Sequence, residues 1–245
     1  MDEWHYDPAR DLDKTLIDRL KCFPREPDML VYGSRLAAAL VMRGWLKVYH
    51  RLTIVNRENL PESGSFVLVA NHASHLDALC LLSALPLKRL HRAFPAAAQD
   101  YFFVSVPRVV LATVVVNALP FQRKASPLQS LSVCRKLLEV EGNVLLIFPE
   151  GTRSTDGEVA DFKPGIGLLA AGADFPIVPC YLAGAGRAWP KGARFPRPRS
   201  VRLIVGTPRK YSHLEFGKAA ALEIAADLQK AVKQLAESTE NSNGR

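Results

Sequence analysis

Two short apolar runs, Phe66 to Ala70 and Val144 to Ile147, are each followed at once by chemically capable residues. After the first comes Asn71-His72-Ala-Ser-His75-Leu-Asp77, and after the second Phe148-Pro149-Glu150-Gly151-Thr152-Arg153-Ser154. Each run reads as a buried strand that ends in reactive side chains. Further strands are expected around Arg89 to Phe94, and over Thr113 to Val116, Ile177 to Tyr181 and Val201 to Val205. Between them Leu76 to Leu85, Ser126 to Glu141 and Ile166 to Ala171 suit helices, and a last helix is expected over Leu214 to Glu237. Strands alternating with helices specify an α/β fold. We expect a mixed central β-sheet flanked by helices in one domain, since 245 residues at 48% apolar content bury one substantial core.

The expected organisation has three parts: an N-terminal extension with an amphipathic helical segment over 1–51, the main domain over 52–237, and a disordered polar tail over 238–245. Within the first part, residues 1–28 are polar and carry Pro8, Pro24 and Pro27. From Met29 to Arg51 the pattern turns helical. Val41, Met42, Trp45, Val48 and Tyr49 fall on one side, with Arg35, Arg43, Lys47, His50 and Arg51 opposite. Such a helix either lies in a membrane interface or packs on the domain with its charges in water. The longest apolar run, Val109 to Val116 with Thr113 inside it, is well short of the ~20 residues a spanning helix needs.

Cys22, Cys80, Cys134 and Cys180 are scattered, suggesting neither a disulfide framework nor a metal knuckle. With no basic segment and apolar core at the N-terminus, a reduced cytoplasmic location is expected. A formal net charge of +8 favours anionic partners.

His72 and Asp77 are five residues apart, ~140° on one continuous helix, so they must straddle a turn to meet. With Ser74 as the N-cap of a helix starting at His75, the loop bearing His72 folds back toward the carboxylate. An Asp that accepts from one imidazole nitrogen leaves the other as a base. The same spacing also fits a plain capping box between Ser74 and Asp77. Glu150, Gly151, Thr152 and Arg153 follow a buried strand, where α/β sheets commonly hold ligands. Arg153 is suited to grip a phosphate by two parallel hydrogen bonds, backbone amides near Gly151 assist, and Arg123 and Lys163 are further clamp candidates.

Several other signatures are rejected. No His-Glu-x-x-His or comparable run links His72, His75, Asp77 and His91, so no metal is expected. Gly165-Ile-Gly167-Leu-Leu-Ala170 spells a dinucleotide fingerprint, but Phe162-Lys163-Pro164 before it is no strand. Neither a Gly-x-Ser-x-Gly elbow nor a phosphate-binding Gly-x-x-x-x-Gly-Lys loop is present. Arg187, Lys191, Arg194, Arg197, Arg199 and Arg202, with Trp189 and Phe195 among them, form a basic stretch without a nucleic-acid reading motif. No nucleic-acid partner is expected, and a membrane-facing or substrate-facing rim accounts for the charge equally well.

These blocks together resemble the glycerolipid acyltransferase family that includes bacterial 1-acylglycerol-3-phosphate acyltransferases. Asn71-His72 through Asp77 resembles its His-x4-Asp block, Phe121-Gln122-Arg123 its second, Phe148 to Ser154 its third and Ile177-Val178-Pro179-Cys180-Tyr181 its fourth. The likeness runs roughly from Val48 to Pro208. The resemblance implies a peripheral membrane enzyme at the inner face of the plasma membrane, without a bound cofactor. Its donor would be acyl-CoA or acyl carrier protein, its acceptor a lysophospholipid, and an anionic membrane surface its partner. Carried over by position, His72 is the general base and Asp77 its orienting partner. Arg123, Glu150, Gly151 and Arg153 bind the acceptor, and Pro179 helps wall an acyl channel. The second block departs from the family by carrying Asn117-Ala118-Leu119-Pro120 where glycine is usual. Another lysolipid, a lipo-amino acid or a sugar lipid therefore stays open as acceptor. A non-catalytic lipid-surface binding protein is the reading from another class.

Overall fold

The computed structural model describes residues 29–98, 116–121, 127–155 and 157–243. Arg123, the start of the expected strand at Thr113 and the N-terminal extension 1–28 lie outside the described residues. The described strands are β1 (Thr53–Val55), β2 (Phe66–Ala70), β3 (Ala93–Ala98), β4 (Leu119–Phe121), β5 (Val144–Ile147), β6 (Ile177–Ala183) and β7 (Arg202–Val205). They form one sheet in the order β1-β7-β6-β2-β5-β3-β4. All neighbours run parallel except β6 and β7, so the sheet is mixed. The helices are α1 (Met29–Tyr49), α2 (Asp77–Ala84), α3 (Pro127–Glu139), α4 (Gly165–Ala170), α5 (Ala185–Ala188) and α6 (Lys218–Asn243).

β2 is buried along its whole length, and its alternate side chains enter two separate cores. Phe66, Leu68 and Ala70 pack with Leu46 of α1 and Leu81 of α2, whereas Val67 and Val69 pack with Cys134 of α3, Leu169 of α4 and Leu228 of α6. Helices therefore cover both faces, which is why the central strands are apolar without alternation. Gly167 holds one of these layers together. A Cβ there would lie 2.0 Å from the backbone oxygen of Ala221 on α6, so the glycine of the false dinucleotide fingerprint serves close helix packing. Gly167→Ala should cost about 3 kcal/mol by overpacking, read as a lower midpoint in urea unfolding; an unchanged midpoint would refute the contact.

The structure corrects several expectations. Residues 87–92 form a 3-10 helix, and β3 begins only at Ala93, not at Arg89. The polar tail expected over 238–245 is helical through Asn243. There the hydroxyls of Ser238 and Thr239 donate to the Leu235 carbonyl, satisfying it within the helix. The two sides of α1 are also exchanged in part. Arg35 is buried, which pushes its pKa down to about 10. Arg43 turns inward to donate to the carbonyls of Leu82 and Leu85, and His50 is fully buried. With Arg57, which donates to the Ala84 oxygen at 2.8 Å, Arg43 covers the C-terminal carbonyls of α2, where cations also complement the helix dipole. Leu40, Val41 and Val48 face outward instead. Among the described residues no helix is long and apolar enough to cross a membrane.

Candidate active site

β2 and β5 are parallel neighbours, with Val69 paired to Ile147. His72 and Glu150 therefore both lie three residues beyond one register pair, at the same edge of the sheet. The two turns are tied together directly. The His72 amide donates to Glu150 Oε1 at 3.1 Å, and the Ser154 amide donates to the His72 carbonyl at 2.8 Å. Asn71 anchors the first turn from the other side: its side chain exchanges hydrogen bonds with the backbone of Leu182 on β6, accepting at 2.8 Å.

The imidazole of His72 lies 2.8 Å through Nδ1 from Asp77 Oδ2 and stacks on the Phe148 ring at 4.2 Å between centroids. Asp77 Oδ2 also accepts from the amides of Ala73 and Ser74, each at 2.8 Å. Three donors thus converge on one carboxylate oxygen at the N-terminus of α2, where the helix dipole favours negative charge. A carboxylate only accepts, so Nδ1 carries the proton and Nε2 is left as an acceptor. The Asp77 side chain is fully buried, while that of His72 keeps 21% exposure. The imidazole is reachable and its carboxylate partner is not.

Ser74 is not the helix N-cap that was expected. α2 begins at Asp77, and the Ser74 hydroxyl instead accepts from the Leu76 amide and donates to the Trp189 carbonyl at 2.8 Å. The Asp77-to-Ser74 bond of a capping box exists as well, so the carboxylate holds the turn and the imidazole together.

Arg153 reaches back to the first turn. Its Nη1 lies 2.7 Å from Nδ1 and 2.6 Å from Nε2 of His75; a neutral imidazole has one acceptor nitrogen, so one of these is the hydrogen bond. Burial first, then the charges of Arg153 and His72, push the His75 pKa below its ordinary value. The ring of Trp189 also packs on His75, with 5.2 Å between centroids and a 46° tilt. Gly151 turns at a φ of 75°, and a Cβ there would come within 2.6 Å of Lys163 Nζ. Lys163 is held in place by its amide, which donates to the Pro149 carbonyl.

His72, Asp77, Glu150, Gly151, Arg153 and Lys163 are thus brought to one edge of the sheet. Thr152 is exposed on the same turn. Pro179 is elsewhere: it lies mid-strand in β6, with its ring beside Gly206 near Leu235 of α6. His75, Trp189 and Phe148 were given no role from sequence. Their contacts join residues far apart in the chain, and no spacing rule exposes them. Cys80, one turn after Asp77, is fully buried, and burial followed by the Asp77 charge pushes its thiol well up. It is no nucleophile.

The acyltransferase family profile matches residues 51–183, more than half of the chain. The protein belongs to the acyltransferase family. Among its relatives, a 1-acyl-sn-glycerol-3-phosphate acyltransferase of Chlamydomonas reinhardtii is 36% identical over 161 residues, covering 64% of this chain and 46% of the relative. The chain spans under half the length of the algal and plant relatives it matches. The 1-acyl-sn-glycerol-3-phosphate acyltransferase of Bacillus subtilis is 28% identical over 210 residues, covering 85% of this chain and 95% of that one. In fold the chain resembles the crystal structure of the 1-acyl-sn-glycerophosphate acyltransferase PlsC from Thermotoga maritima. The TM-score is 0.66 at 22% identity, over 85% of this chain and 79% of that one. The family profile spans β1 to the end of β6, so both turns of the site fall inside it.

Proposed function

We propose that the protein is an O-acyltransferase moving a fatty acyl group from acyl-CoA or acyl carrier protein to a lysophospholipid hydroxyl, with 1-acylglycerol 3-phosphate as the favoured acceptor. The observation that carries this reading is the Nδ1 contact of His72 with buried Asp77, which leaves Nε2 as the base. The acceptor hydroxyl gives its proton to Nε2 as its oxygen bonds to the thioester carbonyl carbon. The tetrahedral intermediate then expels the thiolate, which takes that proton from Nε2. A thiol of pKa ~8.5 leaves without strong acid assistance, so no acyl-enzyme is required. Asp77 stabilises the imidazolium formed in between. Arg153, with Lys163 and the turn at Gly151, holds the acceptor phosphate so that the hydroxyl sits at attack distance. The names of the related enzymes agree with this acceptor.

The outward face of α1 supports peripheral attachment to the inner face of the plasma membrane. Leu40, Val41 and Val48 are 54%, 75% and 80% exposed, an apolar ridge suited to a lipid interface. The acceptor assignment is tested by Arg153→Ala. The KM for a phosphate-bearing acceptor should rise tenfold or more, on the order of one charge-assisted contact, with the donor KM unchanged. Equal weakening of phosphate-free acceptors would remove Arg153 as the clamp.

A further inference from the structure

The stretch Arg187 to Arg199 carries five basic residues, Arg187, Lys191, Arg194, Arg197 and Arg199, and no acidic one. All five are exposed. Among the described residues none pairs with a carboxylate. At the tip, Phe195 is 71% exposed, with the Arg194 guanidinium over its ring at 5.5 Å. This loop is nonetheless well held. The Arg197 amide donates to the Ala188 carbonyl at 2.8 Å, closing the loop at its base, and Trp189 Nε1 donates to the Ala193 carbonyl across it at 3.0 Å. One end is rooted in the active site through Ser74 and the Trp189 carbonyl. The other adjoins the C-terminal end of α1, through Tyr49 Oη donating to the Pro196 carbonyl and Arg51 Nε donating to Ser200 Oγ.

We propose that this loop is a bilayer-docking element: Phe195 enters the interface while Lys191, Arg194, Arg197 and Arg199 bind anionic phospholipid headgroups. The proposal adds a charge-selective contact to the apolar ridge of α1, and it rests on the lipid-acylating reading for its purpose, though not for its observations. A large exposed aromatic ring among unpaired cations is costly in water and favourable at a lipid interface. An acidic carrier protein would match the charges of the loop, but the apolar ridge of Leu40, Val41 and Val48, on the helix this loop adjoins, carries no charge for it to match and suits a lipid interface. Because Trp189 touches His75 and also braces the loop, docking there fixes the mouth of the site against the membrane that holds the acceptor.

The test is co-sedimentation of the whole chain with phosphatidylcholine vesicles, with and without phosphatidylglycerol. Thiol release is followed in parallel using a water-soluble, short-chain acceptor. The wild type should prefer the anionic vesicles, and salt should weaken that preference. Each arginine neutralised should lower partitioning about fivefold, so Arg194→Gln with Arg197→Gln should lower it roughly twenty-five-fold. Phe195→Ala should lower binding to anionic vesicles about tenfold. Thiol release from the acyl donor with the soluble acceptor should stay unchanged in all of these variants. Wild-type vesicle binding by the loop variants would overturn the proposal. So would variants that bind vesicles normally but lose turnover only with an acyl carrier protein donor, which would make the loop a protein-docking site. A wild type that binds anionic vesicles and releases no thiol would contradict the enzymatic reading while leaving the docking surface standing.

Discussion

His72→Ala should lower acyl-dependent thiol release by a hundredfold or more, on the order expected for loss of a general base. The fall should lie in kcat, since the ring makes no contact assigned to holding the acceptor phosphate. What the substitution removes is specific: one partly exposed imidazole whose Nδ1 is committed to Asp77. The backbone of residue 72 keeps its bonds to Glu150 and Ser154, and Asp77 still accepts from Ala73 and Ser74, so the turn survives. Single-turnover rates on the purified variant, with circular dichroism to establish folding, check this. A folded variant with the wild-type rate would exclude His72 as the base.

Asp77→Asn should cost a similar factor, between about a hundredfold and ten-thousandfold, and it separates the two roles of this residue. The asparagine carbonyl can stand where Oδ2 now accepts three N–H groups, so the capping of α2 and the fold of the turn persist. Its amide takes the place of Oδ1, a buried oxygen with no hydrogen-bond partner among the described residues. The charge is lost, and a buried NH2 group replaces that oxygen. In the proposed mechanism that charge, fully buried, stabilises the imidazolium as the hydroxyl proton moves. Were Asp77 a helix cap alone, the asparagine variant would keep both its unfolding midpoint and its rate. We expect the midpoint to change little and the rate to collapse, as measured by urea unfolding and single-turnover kinetics.

The parts of this site that sequence exposed are those governed by burial and local spacing. β2 and β5 are apolar throughout because helices cover both sheet faces, and their ends mark the two turns directly. His72 and Asp77 are close enough in the chain for a turn to join them. Spacing left undecided whether Asp77 caps the helix or orients the imidazole, and the three-way convergence on Oδ2 shows that one oxygen does both.

Other features depend on partners that no periodicity reveals. Arg35 and Arg43 read as solvent-facing from their positions on α1, yet Arg43 finds the open carbonyls of α2, and such a partner makes an inward arginine tolerable. Three-residue strands such as β1 and β4 are too short to carry a pattern. The contact of Arg153 with His75, and of His75 with Trp189, joins residues brought near only by the sheet.

The most direct measurement supplies purified protein with acyl-CoA and 1-acylglycerol 3-phosphate and follows both products, free thiol by absorbance and acylated lipid by mass spectrometry. One thiol released for each diacylated phospholipid formed, with Arg153→Ala raising the acceptor KM and His72→Ala abolishing both signals, is the predicted result. Thiol released without acylated lipid, or acylated lipid formed at the wild-type rate without the imidazole of His72, would contradict direct transfer by this site.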